Sequence, residues 1–388
     1  MKIAVVHDYF NQSGGAEKVA EELYSMIPGA QLVTTVAFPE KMPPRLKDVP
    51  VQTSWIQRMP RIRDLYRLYF PLYPFAVDSL DLSAYDLVVS SSSGYAKGVK
   101  TRPGAVHVCY CHTPMRWVWD YSRYSARETF SLLQKLALPV FINRLRKWDI
   151  AASKRPTHYV ANSHVVAERI LAAYGRTSEV IYPPIDVDRF SISDVVEDYY
   201  LVLARLVSYK RIDIAVRACT KLNRRLCIIG SGPDMESLKA IAGPTIEFLG
   251  RLSDAEVNRY ISRCRALLFP GEEDFGMVPL ETAAAGRPTI AYRAGGATET
   301  ILDGTTGLFF DEQTSESMID AIERFEQATW NPKVLRKHAE KFSVEVFQER
   351  FLALLDRLGV AIPPGNAADT VREKLPRGAV AQTVSLQT

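Results

Sequence analysis

The sequence predicts an α/β protein of two doubly wound, Rossmann-like domains that face each other across a cleft. Short apolar runs of β formers alternate with helix-spaced segments along the chain, the pattern of a parallel sheet wrapped by helices on both faces. The same grammar starts twice, at Ile3 and at Tyr199, and the stretch VIYPPIDVDRF from Val180 to Phe190 separates the two starts. With 388 residues, 47% of them hydrophobic, the chain can bury two full cores.

In the first half, Ile3 to Val6 reads as a central parallel strand, Asn11 to Gly15 as a glycine turn, and Ala16 to Ile27 as a helix with Val19, Leu23 and Ile27 on one face. That order brings backbone N–H groups and a helix N-terminus towards a phosphate. The residues GGAEK match neither the dinucleotide fingerprint nor the P-loop, so NAD and ATP lose weight together, and a tight turn with no ligand stays open. Further strands are expected at Gln31 to Phe38, Leu87 to Ser90, Val106 to Tyr110 and Tyr159 to Asn162, with a polar turn from Ser91 to Lys100 and Ser163 capping a helix from His164 to Tyr174. A boundary falls near residues 183 to 198.

In the second half, strands are expected at Tyr199 to Ala204, Leu226 to Ile229, Ile246 to Leu249, Thr289 to Tyr292 and Gly307 to Phe310. Helices are expected at Ile212 to Lys221, Asp254 to Cys264 and Ser315 to Glu326, with more helix from Lys333 to Leu355. A short buried strand ends at Pro270, and a helix begins at Pro279 and stops at Gly286. The proposed division is 1–190, 199–338, a helix over 339–358, and a disordered Pro, Gly, Ala and Thr-rich tail over 359–388.

Chemistry concentrates in PGEEDFGMVPLETAAAG, residues 270 to 286. Glu272, Glu273 and Asp274 repel one another at the carboxyl end of a strand, which points to polar work in a ligand crevice; the plainer reading is a solvated acidic loop. Arg205 and Lys210 follow the second domain's first strand, where cations can hold a pyrophosphate, and GSG at 230 to 232 is another glycine turn. With Glu281 placed to accept from a ribose and Glu273 from sugar hydroxyls, the set suits a nucleotide bearing a hydroxyl-rich group. In HTPMRWVWD, residues 112 to 120, the aromatic faces suit sugars or rings, and His112 can hydrogen-bond near neutral pH.

No metal is expected. His107, Cys109 and Cys111 share a strand face without zinc spacing and read as buried sheet residues, and Asp186 and Asp188 lie in a linker. Five cysteines without a regular framework point to a reducing compartment, and a net charge of +4 lacks the dense basic stripe of a nucleic-acid binder. The apolar run of MKIAVVHDYF breaks at Asp8, and no other run reaches a membrane span, so the expected location is the cytoplasm, in solution or peripheral on the inner face of the membrane. Two stretches, Arg58–Phe75 and Phe130–Arg155, mix basic and apolar residues in a way that suits an anionic membrane surface or the cover of a domain face.

To about residue 358 the sequence resembles the retaining nucleotide-sugar glycosyltransferases of family four, which have the two-domain GT-B fold. The resemblance rests on GGAEK at 14 to 18, ARLVSYKR at 204 to 211, GSGPD at 230 to 234 and EDFGMVPLE at 273 to 281. It differs at Ala204, where many members have Gly. The resemblance implies Arg205 and Lys210 on the donor diphosphate, Gly14, Gly15 and Gly230 near it, and Glu281 on the ribose. It implies Glu273 and the backbone of Phe275, Gly276 and Met277 on the transferred sugar, with His112 beside that sugar. It implies no metal or other cofactor, and a last helix that crosses back to brace the first domain.

The implied reaction is sugar transfer with retention. Because Glu273 is implied at the sugar hydroxyls, front-face transfer is favoured over a covalent intermediate. The HTPMRWVWD and SYKR runs look most like members that use GDP-mannose and build exopolysaccharide or O-antigen units on a polyprenyl diphosphate. UDP-sugar transferases or glucan synthases, an epimerase of nucleotide-linked amino sugars, and a noncatalytic nucleotide-sugar binder share the architecture. They differ in acceptor, in turnover without acceptor, and in binding without transfer.

Overall fold

The computed structural model describes residues 1–12, 14–66, 68–120 and 132–362. Among the described residues the strands form two parallel sheets. The first orders its seven strands β3-β2-β1-β4-β5-β6-β7, with β1 Ile3–His7, β2 Gln31–Thr34, β3 Val51–Thr53, β4 Leu87–Ser92, β5 Val106–Cys111, β6 His158–Ala161 and β7 Glu179–Val180. The second orders six as β10-β9-β8-β11-β12-β13, with β8 Tyr200–Leu203, β9 Leu226–Ile229, β10 Ile246–Gly250, β11 Leu267–Phe269, β12 Thr289–Tyr292 and β13 Gly307–Phe310. In both sheets the winding order of the strands reverses once, between β1 and β4 and between β8 and β11, and ligands of such sheets bind beyond the carboxyl ends at that point.

The central strands are buried end to end because helices cover both faces. β1, IAVVH, is one such run. β4 is longer than the sequence pattern implies: Ser91 and Ser92, expected in a turn, stay in the strand and are buried. Their hydroxyls are satisfied there, Ser91 by two histidines and Ser92 by Asp8, so polarity marks a site and not the end of the strand. β2 stops at Thr34, four residues short of the expected Phe38, because the chain there bonds to the loop after β1 through Phe10. The edge strands β3 and β7 are too short to show a period. The helix Met277–Ala284 starts two residues before Pro279, which is tolerated because N–H groups of a first turn have no helical partner to lose.

Among the described residues the chain crosses between domains twice, and the two crossings are joined: Ile185 N–H donates to Phe342 O at 2.8 Å. The second crossing leads into the helix Val344–Arg357, whose Phe347, Phe351 and Leu355 enter the first domain's core beside Ile3, Val5, Val19 and Leu23. Val360 and Ile362 enter it too, so the packed chain runs past the expected start of a disordered tail, and 363–388 lie outside the described residues. Between the crossings, Asp186 and Asp188 line a cavity of about 150 Å³ with Glu340 and Glu345, and Asp188 pairs with Arg336 at 3.2 Å. Among the described residues no three His, Cys, Asp or Glu side chains are grouped to hold a metal ion.

The two basic, apolar stretches have different fates. In Arg58–Phe75, Ile62 and Tyr73 are core residues, whereas Leu68 (71% exposed) and Phe75 (66%) face outward with Arg58, Arg61 and Arg63; Arg67 lies outside the described residues. In Phe130–Arg155, Phe130 and the side chains of 132–138 and 140 lie outside them. The rest of the helix Leu132–Ala152 packs inward at Ile142 and Leu145. Arg146 donates to Val118 O at 2.7 Å and Arg155 pairs with Asp78 at 2.6 Å, so these two cations serve the domain's own packing. No helix among the described residues is long and apolar enough to cross a membrane.

Candidate functional site

The first domain's share of the cleft hangs on Asp8. Its buried carboxylate accepts from the backbone N–H groups of Ser93, Tyr95 and Ala96 at 2.6 to 2.8 Å, which ties the loop after β4 to the end of β1. Gly14 and Gly15 open the helix Gly15–Ser25. A Cβ on Gly15 would lie 2.8 Å from Met277 Sδ of the other domain, so the glycine loop and the sugar-loop candidate touch across the cleft.

His112 follows β5 and is buried, with Nε2 2.8 Å from Ser91 Oγ. Burial, with His7 adding to it, pulls its pKa down to about 4 against the charges of Asp8, Glu17 and Asp274, so the ring is neutral at pH 7. His107, five residues earlier on β5, is pulled to about 3 by burial and then by Arg155. Below their ordinary value of 6.5, the unfolded chain binds protons that the folded chain refuses. Stability is therefore full above pH 6.5 and falls as pH drops towards 4, by about 1.4 kcal/mol per pH unit for each histidine. Thermal unfolding from pH 7.5 to 4.5 should show Tm falling, with a shallower slope in His107→Gln; an unchanged slope would assign the fall to other groups.

The second domain contributes the loops after β8 and β11. Lys210 ends the short turn Ser208–Lys210 and is ion-paired with Glu273. Arg205 is exposed and donates across the cleft to Gln12 Oε1 at 3.1 Å. Glu281 pairs with Lys18, also across the cleft, at 3.0 Å. Gly230 serves close approach first: its φ is 138° and a Cβ would fall 1.9 Å from Ala204 O, so only glycine lets this turn lie against the Arg205 loop. Gly276, at φ 90°, turns the chain from Phe275 into the helix Met277–Ala284.

The acidic loop is not solvated. Glu272, Glu273 and Asp274 are half-buried, and Asp274 pairs with two arginines of the first domain, Arg116 at 2.6 Å and Arg169. Ser163 Oγ donates to Asp274 O at 2.6 Å, and the carboxylate of Glu299 accepts from the N–H groups of His164 and Val165 at 2.9 and 3.1 Å. One domain thus caps a helix of the other, where a carboxylate suits the positive helix end. The Arg116 guanidinium also lies 5.4 Å from the Tyr209 ring, beside Lys210. The sequence singles out HTPMRWVWD and the carboxylate run without joining Arg116 to Asp274; Glu17 and Lys18 stand out only as part of GGAEK, with no role of their own, and Arg169 carries no local signal. The resulting cleft sets cations, carboxylates and glycine turns from both domains within reach of one another, which suits a molecule with anionic and hydroxyl-rich parts side by side.

Two family models match adjoining parts of the chain: Glycosyltransferase Family 4 over residues 13–189 and Glycosyl transferases group 1 over 187–342. The chain is 30% identical over 192 residues to a GDP-mannose-dependent alpha-(1-6)-phosphatidylinositol monomannoside mannosyltransferase of Mycolicibacterium smegmatis, covering 41% of this chain and 50% of that one. It is 27% identical over 145 residues to an alpha-1,3/1,6-mannosyltransferase of Rhizomucor pusillus, covering 36% of this chain and 32% of that one. The chain thus spans about half the length, or less, of these curated relatives. Among solved structures, Anabaena HepE in complex with UDP superposes with a TM-score of 0.69 at 18% identity, over 92% of this chain and 100% of that one. Sucrose-phosphate synthase from Thermosynechococcus elongatus gives 0.67 at 16%, over 92% and 99%. With the paired parallel sheets described above, these matches make the chain a member of the family-four glycosyltransferases, with the GT-B fold.

Proposed function

We propose that the protein transfers mannose from GDP-mannose, with retention at the anomeric carbon, to a saccharide carried on a polyprenyl diphosphate. The observation that carries a nucleotide-sugar donor is the meeting of Arg205, Lys210, Glu273 and Glu281 beyond β8 and β11 with the Gly14–Gly15 loop of the facing domain. In this reading Arg205 and Lys210 hold the diphosphate, Gly14, Gly15 and Gly230 border it, and Glu281 accepts from the ribose. Glu273 and the backbone of Phe275, Gly276 and Met277 hold the sugar, with His112 on its other side. The bond from the anomeric carbon to the phosphate breaks, the acceptor oxygen bonds from the same face, and the departing phosphate oxygen takes the acceptor proton.

The choice of GDP-mannose is supported by the mycobacterial relative, which uses that donor. A UDP-sugar is the second reading, favoured by the UDP bound to HepE. A membrane-borne acceptor is supported by exposed Leu68 and Phe75 in the same stretch as exposed Arg58, Arg61 and Arg63, of which Arg61 pairs with Asp64 and Arg63 with Glu40, a stretch of the kind that rests peripherally on the inner, anionic face of a membrane.

The test is donor binding and hydrolysis across a panel of nucleoside diphosphate sugars, with and without anionic vesicles. GDP-mannose is expected to bind selectively, and Glu281→Ala to weaken it about 10- to 100-fold through loss of hydrogen bonds to a carboxylate. Selective binding of a UDP-sugar would retire the mannosyl reading, and binding of no donor would retire the transferase reading. Protein that stays wholly off the vesicles at low salt would remove the membrane-borne acceptor surface.

A further inference from the structure

Behind His112 runs a line of buried polar side chains from separate elements of the first domain. Ser91 Oγ, on β4, lies 2.8 Å from His112 Nε2 and 3.1 Å from Nδ1 of His7, on β1. His7 Nε2 lies 3.9 Å from Oε1 of Glu17, in the first turn of Gly15–Ser25. All four residues are buried. Glu17 Oε2 has no hydrogen-bond partner among the described residues, and a Cβ on Gly14 would meet it at 3.0 Å. A buried carboxylate and two imidazoles are a costly way to fill space that a leucine or methionine would fill without desolvation.

We infer that Glu17, acting through His7 and Ser91, fixes the tautomer of His112, so that His112 presents a bare Nδ1 to a hydroxyl of the transferred sugar. The inference rests on the reading above that puts His112 beside that sugar. The Glu17 carboxylate favours a proton on the near nitrogen of His7, Nε2. His7 Nδ1 then accepts from the Ser91 hydroxyl, whose oxygen accepts from His112 Nε2–H, leaving Nδ1 of His112 as an acceptor.

The other charges around the ring are committed elsewhere. Asp8 is occupied by the backbone N–H groups of Ser93, Tyr95 and Ala96, and Asp274 by Arg116 and Arg169. Two rings pack beside the line, Phe10 against His7 at 4.8 Å and Tyr110 edge-on to His112 at 5.3 Å. Glu17 is the acid left to bias the line.

The chain has six histidines, few enough to resolve by nitrogen-15 NMR of histidine-labelled protein, with His112→Asn assigning the signal. At pH 7 the wild type should show His112 protonated on Nε2. The near-isosteric Glu17→Gln and the smaller Ser91→Ala should each convert it to a mixture that includes the Nδ1–H form. Transfer should fall about 10-fold or more, by analogy with the partners that orient metal-bound histidines, through kcat and with donor KM little changed. A wild-type His112 protonated on Nδ1, or a tautomer that either variant leaves unmoved, would overturn the relay. The NMR measurement needs no substrate, so its failure is separate from failure of the donor reading.

Discussion

Lys210→Ala should slow sugar transfer by about 10²- to 10³-fold, the usual scale for removing one preorganised charge from a developing anion. The lysine is fixed by its surroundings before any substrate binds. It closes the turn Ser208–Lys210, its backbone is wedged against Gly271, where a Cβ would stand 2.9 Å from Lys210 Cα, and its ammonium pairs with Glu273 over the Tyr209 ring. On the proposed reaction the charge of the leaving phosphate grows as the sugar bond breaks, so the loss should fall on kcat more than on donor KM. The variant also leaves Glu273 without its cation in a half-buried position, which loosens the group proposed to grip the sugar. Steady-state kinetics checks this; a kcat near wild type would remove Lys210 from the stabilisation of the leaving group.

Asp149→Ala should destabilise the protein by about 3–5 kcal/mol, the range for stripping one partner from a buried ion pair. Lys97 and Asp149 meet at 2.5 Å and both are buried. Burial works against the Lys97 charge, yet its pKa is raised, by Asp149 first and then by Cys111 and Asp8. Asp149 Oδ2 also accepts from Trp119 Nε1 at 2.7 Å and from the Tyr174 hydroxyl at 2.8 Å. Alanine would strand a buried cation and two donors together. Urea unfolding measures the loss, and Lys97→Met combined with Asp149→Leu should recover the part that comes from the stranded cation, since an apolar pair leaves no buried charge, while Trp119 Nε1 and the Tyr174 hydroxyl still lack their acceptor. A loss below about 1 kcal/mol in Asp149→Ala would mean that the site relaxes and admits water.

Elements whose ends carry their own chemical signal were legible in the sequence. The helix His164–Tyr174 begins at a Ser163 cap and ends at Gly175 in the left-handed region, and its bounds were readable from those residues alone. Ile212–Lys221 and Thr289–Tyr292 match their expected bounds for a similar reason, a clean period between polar ends. The loops after β8 and β11 were legible because cations, carboxylates and glycines cluster within them. The pairings that complete the site were not: Arg116 and Arg169 with Asp274, Glu299 on the helix start, Lys18 with Glu281. Each joins residues more than a hundred positions apart in different domains, and no local pattern encodes how two domains meet. Ser91 misled for a related reason: a serine in a strand reads as an ending until its histidine partners are known.

The return of Val344–Arg357 to the first domain bears on how the protein comes into being. Phe347, Phe351, Leu355, Val360 and Ile362 share one core with Ile3, Val5 and Leu23, so the domain made first is finished by residues made hundreds of positions later. On the ribosome, the growing chain carries an uncovered apolar face from the completion of β7 until Ile362 has cleared the exit tunnel. Through that interval, while the whole second domain is being made, the first is open to wrong partners, and the last helix acts as the latch that ends the exposure.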